Sequence, residues 1–458
     1  MRLAAWVCTF VIGCTLFLIP QETNAEGLTD KEVEHFRTHL QEGKVEPTLP
    51  GPLTDKEVKH LRTHLQEGKV EPALPGPLTG REMTKLLNRF EIFKGITFGG
   101  YLTNYVQYES VNPRAGDSVA IPPKYFARQV KSFTVNNMQI WLYKKVPHPG
   151  DVGFKIVLDW GETARRLTGV GPVRDDSAVQ PNPPGTPNGA RQTTFKEAYV
   201  QWNVPIGTGL TVQFGKFTSW LGYEWWETIW NPNFSGSYTD FWLYPGNGTG
   251  VGLEYNLTDN FTANYYFVNT TDTFVNNNKA FSHGVDFNFN LPETGFFKDG
   301  YINAGALWGL PFANNTTDWL QTYDITLSFS PFEKITLATT GNWNYSPRRI
   351  VQPSGRAKRG NQSWGVAQYL IYEHNDWLGF ALRGEYFWDQ ENFAGISGGD
   401  GASLAEVTGT INFKVRERVM IRPEIRYDKI VSVPNGSSHI WNRQNKSISA
   451  YLAVSYEF

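Results

Sequence analysis

Cysteine is almost absent from this chain. Of 458 residues only Cys8 and Cys14 are cysteines, and both sit in an N-terminal stretch that reads as a removable leader. The remainder then has no disulfide framework, no cysteine metal site and no thiol nucleophile. Charge of one sign is also lacking: the formal net charge is −2 and the pI is near 6.5. Nucleic acid is therefore not an expected partner. No apolar run long enough for a membrane-crossing helix follows the first twenty residues. No Ser/His/Asp ordering, zinc-protease motif or phosphate-binding glycine loop occurs either. The expectation is a protein that is not an enzyme and needs no cofactor.

The leader has the parts of a signal peptide. Arg2 supplies a positive start, Leu3 to Ile19 is almost unbroken apolar sequence, and Thr23, Asn24 and Ala25 offer a small-residue cleavage site before Glu26. Apolar residues Leu16 to Ile19 follow Cys14, so that cysteine lies inside the apolar region and is poorly placed for lipidation. Residues 1–25 are read as the signal peptide. Export without a membrane helix leaves the periplasm, the outer membrane or the medium.

An internal repeat comes next. Leu28 to Pro52 reads LTDKEVEHFRTHLQEGKVEPTLPGP, Leu53 to Pro77 reads LTDKEVKHLRTHLQEGKVEPALPGP, and a degenerate copy begins LTGREMTKLLNRFE at Leu78. Thr29 with Glu32, and Thr54 with Glu57, form capping boxes. Apolar residues then recur at helical spacing, and Gly43 and Gly68 end each helix. Helices of about three turns are too short to stand alone in water. Residues 26–92 thus read as a periplasmic segment of helical repeats on Pro-rich spacers, suited to touching a periplasmic partner. His35 with His39, and His60 with His64, put imidazole pairs on one helix face. That spacing fits metal ligands, but it equally fits a solvated face copied by duplication, and no metal is assigned.

From Ile96 the period changes to two. Val152, Phe154, Ile156, Leu158 and Trp160 alternate with Gly153, Lys155, Val157 and Asp159; Ala405, Val407, Gly409, Ile411 and Phe413 alternate with Glu406, Thr408, Thr410 and Asn412. About sixteen such segments of roughly 9–13 residues occur, the length a tilted strand needs to cross a bilayer. They start near residues 96, 132, 151, 194, 208, 249, 260, 280, 300, 320, 334, 363, 377, 404, 418 and 446. Trp160, Trp202, Trp343, Trp377 and Trp388 recur near segment ends, where interfacial girdles lie. An open sheet edge in lipid leaves unsatisfied N–H and C=O groups, so these strands must close on themselves. The expected fold is all-β: residues 93–458 form an antiparallel transmembrane barrel of about sixteen strands in the outer-membrane lipid of a Gram-negative-type bacterium. Pro423 cannot donate to a ladder, and a bulge or rim position is expected there.

Residues Thr193 to Tyr255 resemble the β-barrel porin family related to the OmpL-like porins. The resemblance rests on Phe195 to Trp202 (FKEAYVQW), Val212 to Phe217 (VQFGKF), Gly222, Glu224, Asn231, Asn233, Ser235, Ser237, Pro245 and Gly250 to Tyr255 (GVGLEY). It extends diffusely over about residues 95–458 and does not reach the repeats. It implies an outer-membrane porin, and trimers as the usual assembly. Tyr456 and Phe458 at the C-terminus resemble the signature by which the barrel assembly machinery takes up its clients.

Two groups of residues are candidates for function. Arg422, Glu424, Arg426 and Asp428 share one face of a strand, as do Arg383 and Glu385 of another. A charge on the lipid face costs about 2–4 kcal/mol near the midplane, so these six should point inward. There they either line the pore and set its field or brace the wall, and their mixed signs predict a weak ion preference. The connection from Ser219 to Asn247 carries Trp220, Tyr223, Glu224, Trp225, Trp226 and Trp230. So many rings need something to pack on: the lumen, as a constriction whose rings stack on sugar-like solutes, or else a subunit contact or an extracellular cap. The connection from Gly161 to Gln192 is Pro/Gly-rich and polar, and reads as a surface loop. The expected function is passive diffusion of small hydrophilic solutes; the alternative is a scaffolding barrel that holds a periplasmic partner through its repeats.

Overall fold

The computed structural model describes residue 84 and residues 94–458, apart from 112–131, 168–192, 244–245, 270–275, 277–279, 311–317, 348–349, 352–356, 391–400, 416–417 and 434–443. All of these belong to one compact unit, Leu78–Phe458. The leader, the paired histidines and the helical reading of the repeats lie outside the described residues.

Eighteen strands follow in order: β1 (Ile96–Glu109), β2 (Phe133–Lys144), β3 (Val152–Trp160), β4 (Thr193–Val204), β5 (Leu210–Thr218), β6 (Asn247–Thr258), β7 (Phe261–Val268), β8 (Ser282–Asn290), β9 (Tyr301–Gly309), β10 (Leu320–Phe332), β11 (Ile335–Ser346), β12 (Ile350–Val351), β13 (Ala357–Lys358), β14 (Asn361–Asn375), β15 (Leu378–Gln390), β16 (Gly401–Val415), β17 (Val419–Ser432) and β18 (Lys446–Glu457). The two-residue strands β12 and β13 pair only with each other. The other sixteen form one closed barrel in which each strand pairs antiparallel with its sequence neighbours and β1 closes on β18. Each starts within three residues of the position read from the period-two pattern.

Closure leaves no free edge in lipid. The seam is in register from Tyr101 opposite Glu457 to Glu109 opposite Ser449. Phe458 and Gly100 exchange both backbone hydrogen bonds. Beyond that pair, Thr84 takes the next place along β1: its Oγ1 accepts from Phe98 N–H at 2.9 Å and donates to Phe98 O at 3.2 Å. Connections at the end where Ile96 and Phe458 meet are as tight as 259–260, 333–334 and 376–377, whereas those at the other end reach 161–192 and 219–246. Short periplasmic turns and longer outer loops are the habit of outer-membrane barrels.

The pleat sorts the side chains. On β15, Phe380, Leu382 and Tyr386 are exposed while Ala381, Arg383, Glu385, Phe387 and Asp389 are buried. On β17, Ile425 is 64% exposed and Tyr427 39%, while Arg422, Glu424, Arg426 and Asp428 are at most 2% exposed. A soluble protein would hide the aliphatic and aromatic set; here it faces outward all round, which requires hydrocarbon as the solvent.

Two expectations need correction. Pro423 is neither in a bulge nor at a rim: it lies within β17 opposite Leu452 of β18, and the register there is continuous. On its other side the β16 ladder has no partners between Thr410–Glu424 and Phe413–Ile421, so the missing N–H falls in a gap of that ladder. The connection after β3 is not wholly a surface loop either. It opens with a helical turn, α1 (Glu162–Leu167), whose Glu162, Thr163 and Ala164 are buried. Tyr105, on the inner face of β1, donates to Glu162 at 2.5 Å.

Candidate functional site

The chain between β5 and β6 turns back into the barrel. It contains a 3-10 turn (Thr228–Trp230) and one helical turn, α2 (Tyr238–Trp242), whose N-terminus is capped by Ser237 Oγ accepting from Asp240 N–H. A segment so short cannot hold its shape by itself. It is held by the inner faces of β14–β18 and β1, with further contacts to β2, β4, β7, β8 and β11.

The six inward charges named above make this attachment. Glu424 accepts the backbone N–H groups of Phe234 (2.6 Å) and Ser235 (3.0 Å). Glu385 accepts those of Tyr238 (2.8 Å) and Thr239, and also the Thr239 hydroxyl. The arginines take the carbonyls: Arg422 donates to Thr228 O (2.5 Å) and Ile229 O (2.6 Å), Arg383 to Ser235 O (2.6 Å), and Arg426 to Gly236 O (2.6 Å). Arg383 also bridges Glu224 of the loop (2.6 Å) and Glu406 of β16 (2.5 Å). Asp428 accepts from Tyr238 Oη and pairs with Arg426. The Arg426 guanidinium lies 4.6 Å from the centre of the Tyr238 ring. Charged groups bind the peptide backbone more strongly than neutral ones, about 1.5–3 kcal/mol each. At these points the irregular segment exchanges backbone hydrogen bonds to water for bonds to the wall.

Close approach of the loop also needs wall positions without a side chain. A Cβ on Gly365 of β14 would lie 2.3 Å from Thr239 Oγ1, and one on Gly284 of β8 would lie 2.1 Å from the Trp220 ring. Trp220 stacks on Tyr266 of β7, with ring centres 3.8 Å apart and an interplanar angle of 9°. Tyr223 packs on Tyr369 of β14, and Trp226 packs edge-on against Phe241. Trp225 and Trp230 remain open, at 59% and 46% exposure, and meet edge to face. Burial, and after it the neighbouring Glu224 and Asp324 carboxylates, push the Asp240 carboxyl well above its usual range.

The loop residues and the wall charges, two separate groups in the sequence, thus meet in one site. The pattern did not single out Glu406, which shares Arg383 with Glu224, or Asn233, whose amide reaches Thr410 at 2.7 Å. Period two placed Glu406 on the polar face, but nothing local distinguishes it from its neighbours. Among the described residues, no group of three or more His, Cys, Asp or Glu side chains is arranged to hold a metal ion.

The family model described as "Putative beta-barrel porin-2, OmpL-like" matches residues 95–458. The chain belongs to this family. Its barrel is an outer-membrane porin barrel of the Gram-negative type, and both family and fold are those of porin channels. No curated protein matches the sequence. Among solved structures, the outer membrane channel DcaP of Acinetobacter baumannii is similar at 13% identity, over 79% of this chain and 97% of its own, with a TM-score of 0.51. An anion-selective porin from Comamonas acidovorans is similar at 9% identity, over 79% and 99%, with a TM-score of 0.49. Salmonella typhi OmpF, in complex with daunomycin, is similar at 10% identity, over 80% and 98%, also with a TM-score of 0.49.

Proposed function

We propose that small hydrophilic solutes cross the outer membrane passively through this barrel, with the 219–246 loop narrowing the passage. The observation that carries the reading is the attachment of the loop to the inner wall by Glu385, Glu424, Arg383, Arg422 and Arg426. It supports a fixed constriction, because a segment held by buried charge-assisted bonds does not leave its wall at small cost. On this reading Trp225 and Trp230 face the solute, and their rings suit the apolar faces of sugars.

The proposal extends to the parts outside the barrel. Residues 1–25 are removed on export, and residues 26–92 form a periplasmic segment that touches a partner there. Tyr456 and Phe458 carry the assembly signal, and the barrel works as a homo-oligomer, a trimer by resemblance.

Planar-bilayer recording tests the reading. The mature chain, and a version lacking residues 26–90, should both give stepwise currents. A barrel that stays closed in both forms, with repeats that retain a periplasmic protein, would replace transport by anchoring.

A further inference from the structure

On the proposed reading of the barrel as a pore, we infer that it prefers cations to anions, through an acidic row on the wall of β6–β10. The row follows the ladder. Glu254 of β6 lies opposite Asn264 of β7, Asn264 opposite Asp286 of β8, Asp286 opposite Gly305 of β9, and Gly305 opposite Asp324 of β10. Every second strand thus places a carboxylate on the inner face at the same rung. Because barrel strands tilt, a rung climbs along the barrel: Glu254 is near the short-turn end of β6, and Asp324 is near the long-loop end of β10.

None of the three carboxylates forms an ion pair with a described lysine or arginine. Their side-chain hydrogen-bond donors are neutral amides and a hydroxyl, and the charged neighbour of Asp324, Asp240 of the loop, is itself an acid. Asp286 accepts from Asn264 (3.0 Å), Asn288 (2.6 Å) and Asn303 (2.6 Å), and Asp324 accepts from Thr340 at 3.4 Å. Turning the amide nitrogens to the acids has a second consequence. The carbonyl oxygens of Asn264 and Asn303, at 8% and 7% exposure, receive no hydrogen bond from the protein, and neither does Asp324 Oδ1. Acceptors without donors therefore accumulate along the same rung, and such a set suits a cation or a positively charged solute. Glu254 is exposed, while Asp286 and Asp324 are 3% and 5% exposed and act on a passing ion through the field and not by contact.

Among the described residues, several inner-face bases are engaged elsewhere. Arg383, Arg422 and Arg426 are at most 2% exposed beneath the loop that they hold. Lys196 pairs with Glu227, Lys155 with Glu197 at 2.6 Å, and Lys414 with Glu373 at 3.0 Å. The mixed signs on β15 and β17, the basis for expecting a weak ion preference, are engaged with one another and with the loop. Within low-dielectric walls, the unpaired carboxylates set the field.

The test is the reversal potential of the full mature protein in a planar bilayer under a KCl gradient at pH 8. The expected sign is that of potassium preference, and the Glu254→Gln/Asp286→Asn/Asp324→Asn variant should move the potential toward zero with its conductance steps retained. Glu254→Gln alone, at the exposed position, should move it part of the way and serves if the triple variant does not fold. A zero or chloride-sided potential in the unaltered protein, or variants that leave the potential in place, overturns the acidic row and leaves the pore reading intact. Absence of any conductance overturns both.

Discussion

Arg383→Met is the most informative single change. The guanidinium is fully buried and donates to Glu224 (2.6 Å), Glu406 (2.5 Å) and Ser235 O (2.6 Å). Methionine fills much of the space but leaves Glu224 without its cation and Glu406 with only the longer contact to Arg426, at 3.8 Å. With the loop still docked, that loss is about 3–5 kcal/mol, a factor on the order of 10²–10⁴ against the docked state. The barrel does not share the loss, because its ladder is backbone-only and undocking lets water reach Glu224 and Glu406. The other anchors still hold, with Glu385 and Glu424 each accepting successive N–H groups. The loop should therefore fluctuate instead of leaving outright. Single-channel recording should show larger and noisier steps, while the heat-modifiable band on gels keeps its transition temperature. Adding Glu224→Gln removes one of the stranded charges and should restore part of the quiet state, a coupling that a double-mutant cycle reads directly. Unchanged conductance and noise in Arg383→Met would refute the claim that this arginine holds the loop. So would a barrel that unfolds together with it.

Three further outcomes are expected. Gly365→Leu forces a side chain into the space of Thr239, so it should displace α2 and raise conductance without moving the unfolding midpoint of the barrel. Ile425→Arg puts a charge on the lipid face and should destabilise by about 2–4 kcal/mol if the position is near mid-depth, read by urea titration in micelles or vesicles. Trp225→Ala should change the ranking of sugars in a permeation assay more than it changes the conductance of KCl; an equal effect on both would make the ring a spacer only.

The strands were legible because a membrane wall demands a two-residue period on the lipid side. Ile425, Tyr427 and Leu382 are visible as one face from sequence alone. Placement of the charges was legible for the same reason. What the charges do was not, since Glu385 and Glu424 meet loop residues 146–190 positions away and no local pattern records such contacts. The composition of the 219–246 segment said that it must pack on something, and the wall glycines Gly284 and Gly365 become meaningful only once Trp220 and Thr239 lie against them. Pro423 misled because an imino acid in a barrel strand suggests a defect, whereas the β16 ladder has a gap that takes it. The acidic row was equally hidden: Glu254, Asp286 and Asp324 become neighbours only when the strand registers are known.

Solute-dependent swelling of vesicles containing the purified mature protein tests the central claim most directly. Swelling is expected with small hydrophilic solutes, slowing steeply as solute size grows, with faster entry of the larger ones when Arg383→Met loosens the loop. Vesicles that stay osmotically tight to every solute, with correctly folded barrel in their membranes, would contradict it.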